Sequence, residues 1–290
     1  MKQLTYELVQ LTKRNRDGSF MTQANRRTIL AQMADQLIHL GYKDLHATDL
    51  KGRHIDKLLA LWHTQGLSGA TIRNRLSVLR WWAHKINRVS ILPKDNAIYA
   101  LPPRQFVAKT SKAQTVPNDV LMRVQDRWVR ASLELQRAFG LRREESIKIR
   151  LWQADQGQYL VLQGSWTKGG RPRQIPIATA AQREVLDRLK QTLPSKEASL
   201  IPTHRTYIQQ RYRYDDWVKR VGLHNMHGLR HAYAQRRFLE LTGFLCPVAG
   251  GPSHRDLTPE QRERDQDARS ILSEELGHCR LEIVKAYVGA

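Results

Sequence analysis

The sequence predicts a mainly α-helical chain with one small antiparallel β-sheet, an α+β fold divided into two domains. Three observations predict it. Apolar residues recur at three- and four-residue spacings through most of the chain. Only one stretch, residues 150–177, alternates with period two between glycine breaks. A proline-containing, aperiodic stretch at 93–117 separates two parts, and the 290 residues exceed the length of a typical single domain, about 100–200 residues.

In chain order, helices are expected over 23–40, 48–65 (closed by Gly66) and 68–88. In the last of these Ile72, Leu76, Leu79, Ala83 and Ile86 form one apolar stripe. Arg73, Arg80 and Asn87 lie seven apart on another face, with Arg75, Trp81, Lys85 and Arg88 nearby. That face reads either as a row of phosphate contacts or as a solvated helix surface. Pro102-Pro103 centres the 93–117 linker. A helix over 118–139 is expected to start at Asn118-Asp119 as an N-cap. The hairpin follows, then helices at 179–192, 205–221 and 228–242, a Gly/Pro-rich loop at 243–258, and a helix opened by Thr258, Pro259 and Gln261 that ends near Gly277. The expected domains are therefore 1–92, a linker at 93–117, and 118–290.

Composition narrows the function classes. With 48 Lys+Arg against 27 Asp+Glu, the formal net charge is +21, of which residues 1–115 carry +12. Such an excess asks for a polyanionic partner. Hydrophobic residues make up 41% and the mean hydropathy is −0.56. That is too apolar for a disordered chain, yet no run of about 18 apolar residues spans a bilayer. No basic amphipathic segment with an exposed apolar face points to a membrane surface, so nucleic acid leads. Cys246 and Cys279 are too few for a disulfide framework, and residues 1–18 lack the apolar stretch of a secretory signal. A cytoplasmic location is expected.

Four short stretches carry the chemistry: Gly140-Leu141-Arg142-Arg143-Glu144-Glu145, Thr167-Lys168-Gly169-Gly170, His227-Gly228-Leu229-Arg230-His231, and Leu276-Gly277-His278 with Tyr287 nine positions on. The third and fourth each arise by chance with a probability on the order of 10⁻³, and both together on the order of 10⁻⁶. In this order the four resemble the tyrosine recombinase (phage integrase) family over residues 118–290. The basic helical part fits that family's core-binding (SAM-like) domain in general character.

The resemblance implies a C-shaped clamp around double-stranded DNA at specific recombination sites, with strands cut and rejoined through a 3′-phosphotyrosyl link. It implies a metal- and ATP-independent reaction with no cofactor, a homotetramer on two DNA sites, possible accessory DNA-bending proteins, and a prokaryotic host. By matching position, Arg142 and Arg230 hold the non-bridging oxygens and Tyr287 is the nucleophile. Lys168 protonates the departing 5′ oxygen, His227 is the general base, and His278 bonds the phosphate or steadies the nucleophile. Glu145 and His231 support these groups from behind.

Physical chemistry agrees with the residue types. Paired guanidiniums match the growing charge on a phosphate, and a phenol, mostly protonated at neutral pH, needs a positive pocket and a base.

Each residue also has a plainer reading. Arg142 and Glu145 are an ordinary i,i+3 pair, Lys168 a hairpin tip, Tyr287 a core cap, and His227 with His231 half of a zinc site completed by Cys246 or His254. Gly228 stands where a metalloprotease carries its catalytic Glu, which argues against the last.

Two departures from the family stand out. His227 and His278 are 51 positions apart, so 243–266 reads as an insertion, and residues 241–276 have net charge −3. Only Val288, Gly289 and Ala290 follow Tyr287, so assembly by exchange of a C-terminal helix is not expected. Integration or excision of a mobile element is the leading expectation. Resolution of chromosome or plasmid multimers, a non-catalytic DNA-binding protein and a relaxing topoisomerase are the alternatives.

Overall fold

A computed structural model describes residues 2–278 and 280–290, and Cys279 lies outside the described residues. The chain divides into two compact units, Met1–Arg104 and Gln105–Ala290.

The first unit is built from α1 (Gln3–Arg14), α2 (Phe20–His39), α3 (Gly52–Thr64) and α4 (Gly69–Lys85). Ser19 and Ser68 cap α2 and α4 by accepting the Thr22 and Thr71 backbone N–H groups. Leu4 and Leu8 of α1, Leu30, Met33 and Leu37 of α2, Leu58 and Trp62 of α3, and Leu76 and Trp82 of α4 share one core. Burial of each such side chain stabilises by about 1.5–3 kcal/mol before chain entropy is counted. The stripe Ile72, Leu76, Leu79 and Ala83 is buried as its spacing requires. Helix α1 was not among the expected elements, although Leu4, Leu8 and Leu11 carry the spacing.

The second unit contains α5 (Asn118–Met122), α6 (Arg127–Phe139), α7 (Arg143–Lys148), α8 (Leu151–Ala154), β1 (Tyr159–Leu162), β2 (Arg173–Pro176), α9 (Ala180–Gln191), α10 (Tyr207–Arg220), α11 (Gly228–Thr242), α12 (Pro259–Glu275) and α13 (Lys285–Val288). Strands β1 and β2 pair antiparallel, with Leu160 opposite Ile175 and Leu162 opposite Arg173. Helices α6 and α11 each serve two cores. Ala131, Leu135 and Phe139 of α6 meet Tyr233, Ala234 and Phe238 of α11 in one, while Val129 and Leu133 meet Leu229 in the other. Arg142 follows the end of α6 and Arg230 lies in the first turn of α11, so both are carried by helices packed in these cores.

Several elements differ from the sequence expectation. The 118–139 helix is two, because the Asp126 carboxylate accepts from Trp128 and Val129 N–H and starts α6 afresh. Asn118 does not cap α5; Pro117 occupies that position, and the Asn118 side chain instead accepts from Arg137. The 93–117 stretch is not free chain. Tyr99 and Leu101 pack on the first core and Val116 is buried in the second unit. Within 243–266, Cys246 is fully buried and Phe244, Val248 and Ala249 pack on the core that holds Phe139 and Phe238, so this part of the segment is folded in rather than looped out. Thr258 and Gln261 do form the capping box that opens α12.

Candidate active site

Helix α6 ends at Gly140, whose left-handed backbone (φ +61°) lies so close to the Tyr233 ring that a Cβ would sit 2.6 Å from it. That tight turn delivers Arg142 to the start of α7. There the Glu145 carboxylate accepts from the Arg142 backbone N–H and from its guanidinium, both at 2.7 Å. Glu145 is wholly buried. Arg173 of β2 grips the same carboxylate with two hydrogen bonds of 2.8 and 2.6 Å and donates Nε to the Glu275 carbonyl at 2.9 Å. Burial alone would raise the Glu145 carboxyl, but the Arg173 hydrogen bonds and charge, with Arg142 and Arg230, hold it at about 2.

Arg230, in the first turn of α11, is 1% exposed. It donates Nη1 to the Gly140 carbonyl at 2.7 Å and Nη2 to the Leu276 carbonyl at the end of α12, which also accepts from Arg142 Nη2 at 3.2 Å. Both guanidiniums thus converge on one oxygen. Burial, and then the neighbouring Arg142 charge, bring Arg230 down to about 10, still a cation at neutral pH. Three guanidiniums share this pocket with a single carboxylate, so the pocket keeps an uncompensated positive charge. A buried charge of that kind is costly unless something anionic is meant to meet it.

Tyr287 on α13 is 6% exposed, and its hydroxyl lies 3.4 Å from Arg230 Nε. Three imidazoles surround its ring, with centroids at 4.6 Å for His231, 5.5 Å for His278 and 6.1 Å for His227. Burial and the nearby cations lower all three, His231 and His278 to about 4. They are therefore neutral at pH 7 and able to accept a proton. Among the described residues His231 Nδ1 and His278 Nε2 are buried without a hydrogen-bond partner. Two open clefts reach the cluster. One of about 490 Å³ is lined by Lys112, Gln114, His227 and His231; another of about 580 Å³ is lined by Arg171, Arg173 and His278.

The structure therefore gathers Arg142, Glu145, His227, Arg230, His231, His278 and Tyr287. Lys168 is exposed in the turn before β2, where the Thr167 hydroxyl donates to the Arg171 carbonyl at 2.6 Å. The zinc reading finds no support, because among the described residues no three His, Cys, Asp or Glu side chains gather as ligands.

Arg173 was missed by sequence reasoning. Its signal was register: Arg173, Ile175 and Ile177 share one face of an alternating strand, which puts a charge on an apolar face.

The basic residues of the face expected on α4 are partly exposed and also make contacts within their own unit. Arg73 donates to the Leu101 and Pro102 carbonyls, Arg80 to the Pro93 carbonyl and Asn96, and Arg88 to the Thr48 carbonyl. Lys85 pairs with Asp17 at 3.6 Å, and the Arg75 guanidinium stacks 5.0 Å from the Trp62 ring. These contacts fasten the first unit together.

The family description "Phage integrase, N-terminal" matches residues 1–91, and "Integrase" matches residues 105–236. Tyrosine recombinase XerC of Chromobacterium violaceum is 28% identical over 257 residues, 81% of this chain and 82% of that one. The XerC of Pseudomonas fluorescens is 27% identical over 235 residues, 74% of this chain and 76% of that one. The chain belongs to the tyrosine recombinase family. The recombinase shares its fold with a lambda integrase dimer bound to a COC′ core site, at 19% identity and a TM-score of 0.59, over 99% of this chain and 78% of that one. Among the described residues of the recombinase, no helix is long and apolar enough to cross a membrane.

Proposed function

We propose that this recombinase integrates or excises a mobile element at specific duplex DNA sites, with Tyr287 as nucleophile. The observation that carries the reading is the Tyr287 hydroxyl 3.4 Å from Arg230 Nε, inside a pocket with two more guanidiniums than carboxylates. A phosphodiester entering this pocket meets Arg142 and Arg230, whose paired donors stabilise the extra charge of the pentavalent transition state. The Tyr287 oxygen attacks phosphorus while neutral His227 takes its proton, the P–O5′ bond breaks, and Lys168 protonates the departing 5′ oxygen. The phosphotyrosyl link conserves the bond, and a second 5′ hydroxyl reverses the steps without ATP. His278 and His231 flank the phenol ring and fix its direction. By family resemblance, protomers work as a tetramer on two sites in a prokaryotic cytoplasm, helped by DNA-bending proteins, with residues 1–104 adding phosphate grip.

The test is a suicide DNA site taken from the flanks of the host locus. Wild type should give an SDS-resistant protein–DNA adduct and Tyr287→Phe none. Binding without adduct in the wild type, or an adduct with the Phe variant, refutes the mechanism. Mapping the adduct to an element end supports integration, whereas mapping it to a chromosomal or plasmid dimer site supports multimer resolution.

A further inference from the structure

The segment after Arg104 runs across the catalytic unit before α5 begins, and it fastens to the nucleophile turn at two points. The Ala108 N–H donates to the Lys285 carbonyl at 3.0 Å, at the start of α13. The Ser111 hydroxyl donates to Gln235 Oε1 at 3.0 Å, and Gln235 Nε2 donates to the Tyr287 carbonyl at 3.0 Å. A backbone carbonyl only accepts, so the Gln235 amide has one workable orientation, and Ser111 meets the oxygen that this orientation leaves free. Ser111 is itself held, its Oγ accepting from the Ala113 N–H at 3.1 Å. Further along, the Gln114 N–H donates to the Gly228 carbonyl at 3.0 Å, next to His227. The approach there is close, because a Cβ on Gly228 would lie 2.6 Å from the Gln114 side chain and 2.8 Å from the Lys112 carbonyl.

Helix α13 has only four residues, closed by Tyr287 N–H and Val288 N–H to the Val284 carbonyl and by Gly289 N–H to the Lys285 carbonyl. So short a helix has little stability of its own. Beyond the core packing of Val284, Tyr287 and Val288, the position of the Tyr287 hydroxyl therefore depends on what grips its backbone from outside.

We propose that Gln235 is a positioning residue for the nucleophile, and that with Ser111 it ties the Tyr287 backbone to the segment entering the catalytic unit. A displacement of residues 105–111 is then delivered to Tyr287 through two hydrogen bonds, one on the Lys285 carbonyl and one on the Tyr287 carbonyl. The proposal rests on Tyr287 being the nucleophile, and misplacing a reacting atom by about 1 Å costs on the order of 100-fold in rate.

The experiment uses the full chain with Gln235→Met, which keeps side-chain length and removes both hydrogen bonds, and with Ser111→Ala. Single-turnover adduct formation on the suicide site should slow by about 10- to 100-fold in Gln235→Met and by less in Ser111→Ala. DNA affinity and melting temperature should stay at wild-type values. The double variant should be no slower than Gln235→Met, because Ser111 acts only through Gln235. A wild-type rate in Gln235→Met, or a rate loss matched by an equal loss of DNA affinity, overturns the proposal. Amide exchange of residues 287–289 in the DNA-free protein separates this from the functional reading. If wild type forms no adduct the nucleophile assignment falls, while unchanged exchange in Gln235→Met overturns the tether whatever the chemistry.

Discussion

Arginine is used in two contrasting ways in the two units. On α4 the guanidiniums of Arg73 and Arg80 reach carbonyls of the 93–102 segment from partly exposed positions and hold a loop against a helix. Around Tyr287, Arg142, Arg173 and Arg230 also reach carbonyls, but beside a buried Glu145 and with Arg230 itself 1% exposed. Water screens the first set, so each contact is worth little and its charge is unremarkable. The second set is sheltered, and its charge surplus is felt in full. Unbalanced burial, rather than the number of positive charges, is therefore what singles out the candidate site.

That contrast can be broken most directly at Arg230. Arg230→Lys loses the fork that spans the Gly140 and Leu276 carbonyls and the Tyr287 oxygen. Adduct formation should fall about 100- to 1000-fold while DNA affinity changes by only a few-fold, measured by single-turnover cleavage and by mobility shift. Wild-type cleavage in Arg230→Lys would show that charge alone suffices there.

Glu145→Gln should come next. It leaves Arg173 and Arg142 facing a neutral amide and should cost about 3–5 kcal/mol in stability by denaturant titration. Glu145 ionises near 2 when folded against 4.5 when unfolded. Its contribution is present above pH 4.5 and is lost as the pH falls through about 2.

The histidines sharpen the comparison at milder pH. His231 and His278 bind protons near pH 4 when folded and near 6.5 when unfolded. The unfolded chain thus takes up more protons between those values, and stability should fall as the pH drops from 6.5 towards 4. The melting temperature of His278→Gln should show a shallower fall over that window. The acid limb of cleavage should likewise lie below pH 6.5, because His227 is lowered too.

The smallest effects belong to α4. Arg73→Ala and Arg80→Ala should each cost about 1 kcal/mol or less in stability, with the salt dependence of DNA binding unchanged. A salt slope reduced by about one charge per substitution would reassign these residues to the phosphate backbone.

Much of this is legible in the sequence alone. The apolar stripe of α4, the hairpin and the Thr258 box follow from local rules, and the two motifs joining His227, Arg230, His278 and Tyr287 stood out by spacing. What escaped was what sequence separation conceals. Arg173 meets Glu145 across 28 positions, and Gln235 meets Ser111 across 124. The α4 arginines have the spacing of one face, but spacing is silent about the carbonyls of Pro93, Leu101 and Pro102 that Arg73 and Arg80 reach. Asn118 looked like a cap by type, whereas its side chain was claimed by Arg137.

The Leu276 carbonyl, shared by Arg142 and Arg230, has a further consequence. As the C-cap oxygen just beyond α12 it carries a helix-end partial charge, and it accepts from two like-charged side chains. A phosphate oxygen carries formal charge and competes for the same donors on better terms, while a neutral ligand does not. The end of α12 is thereby a placeholder with a threshold: it holds the Arg142 and Arg230 guanidiniums together, and an anion would be the ligand able to draw them away.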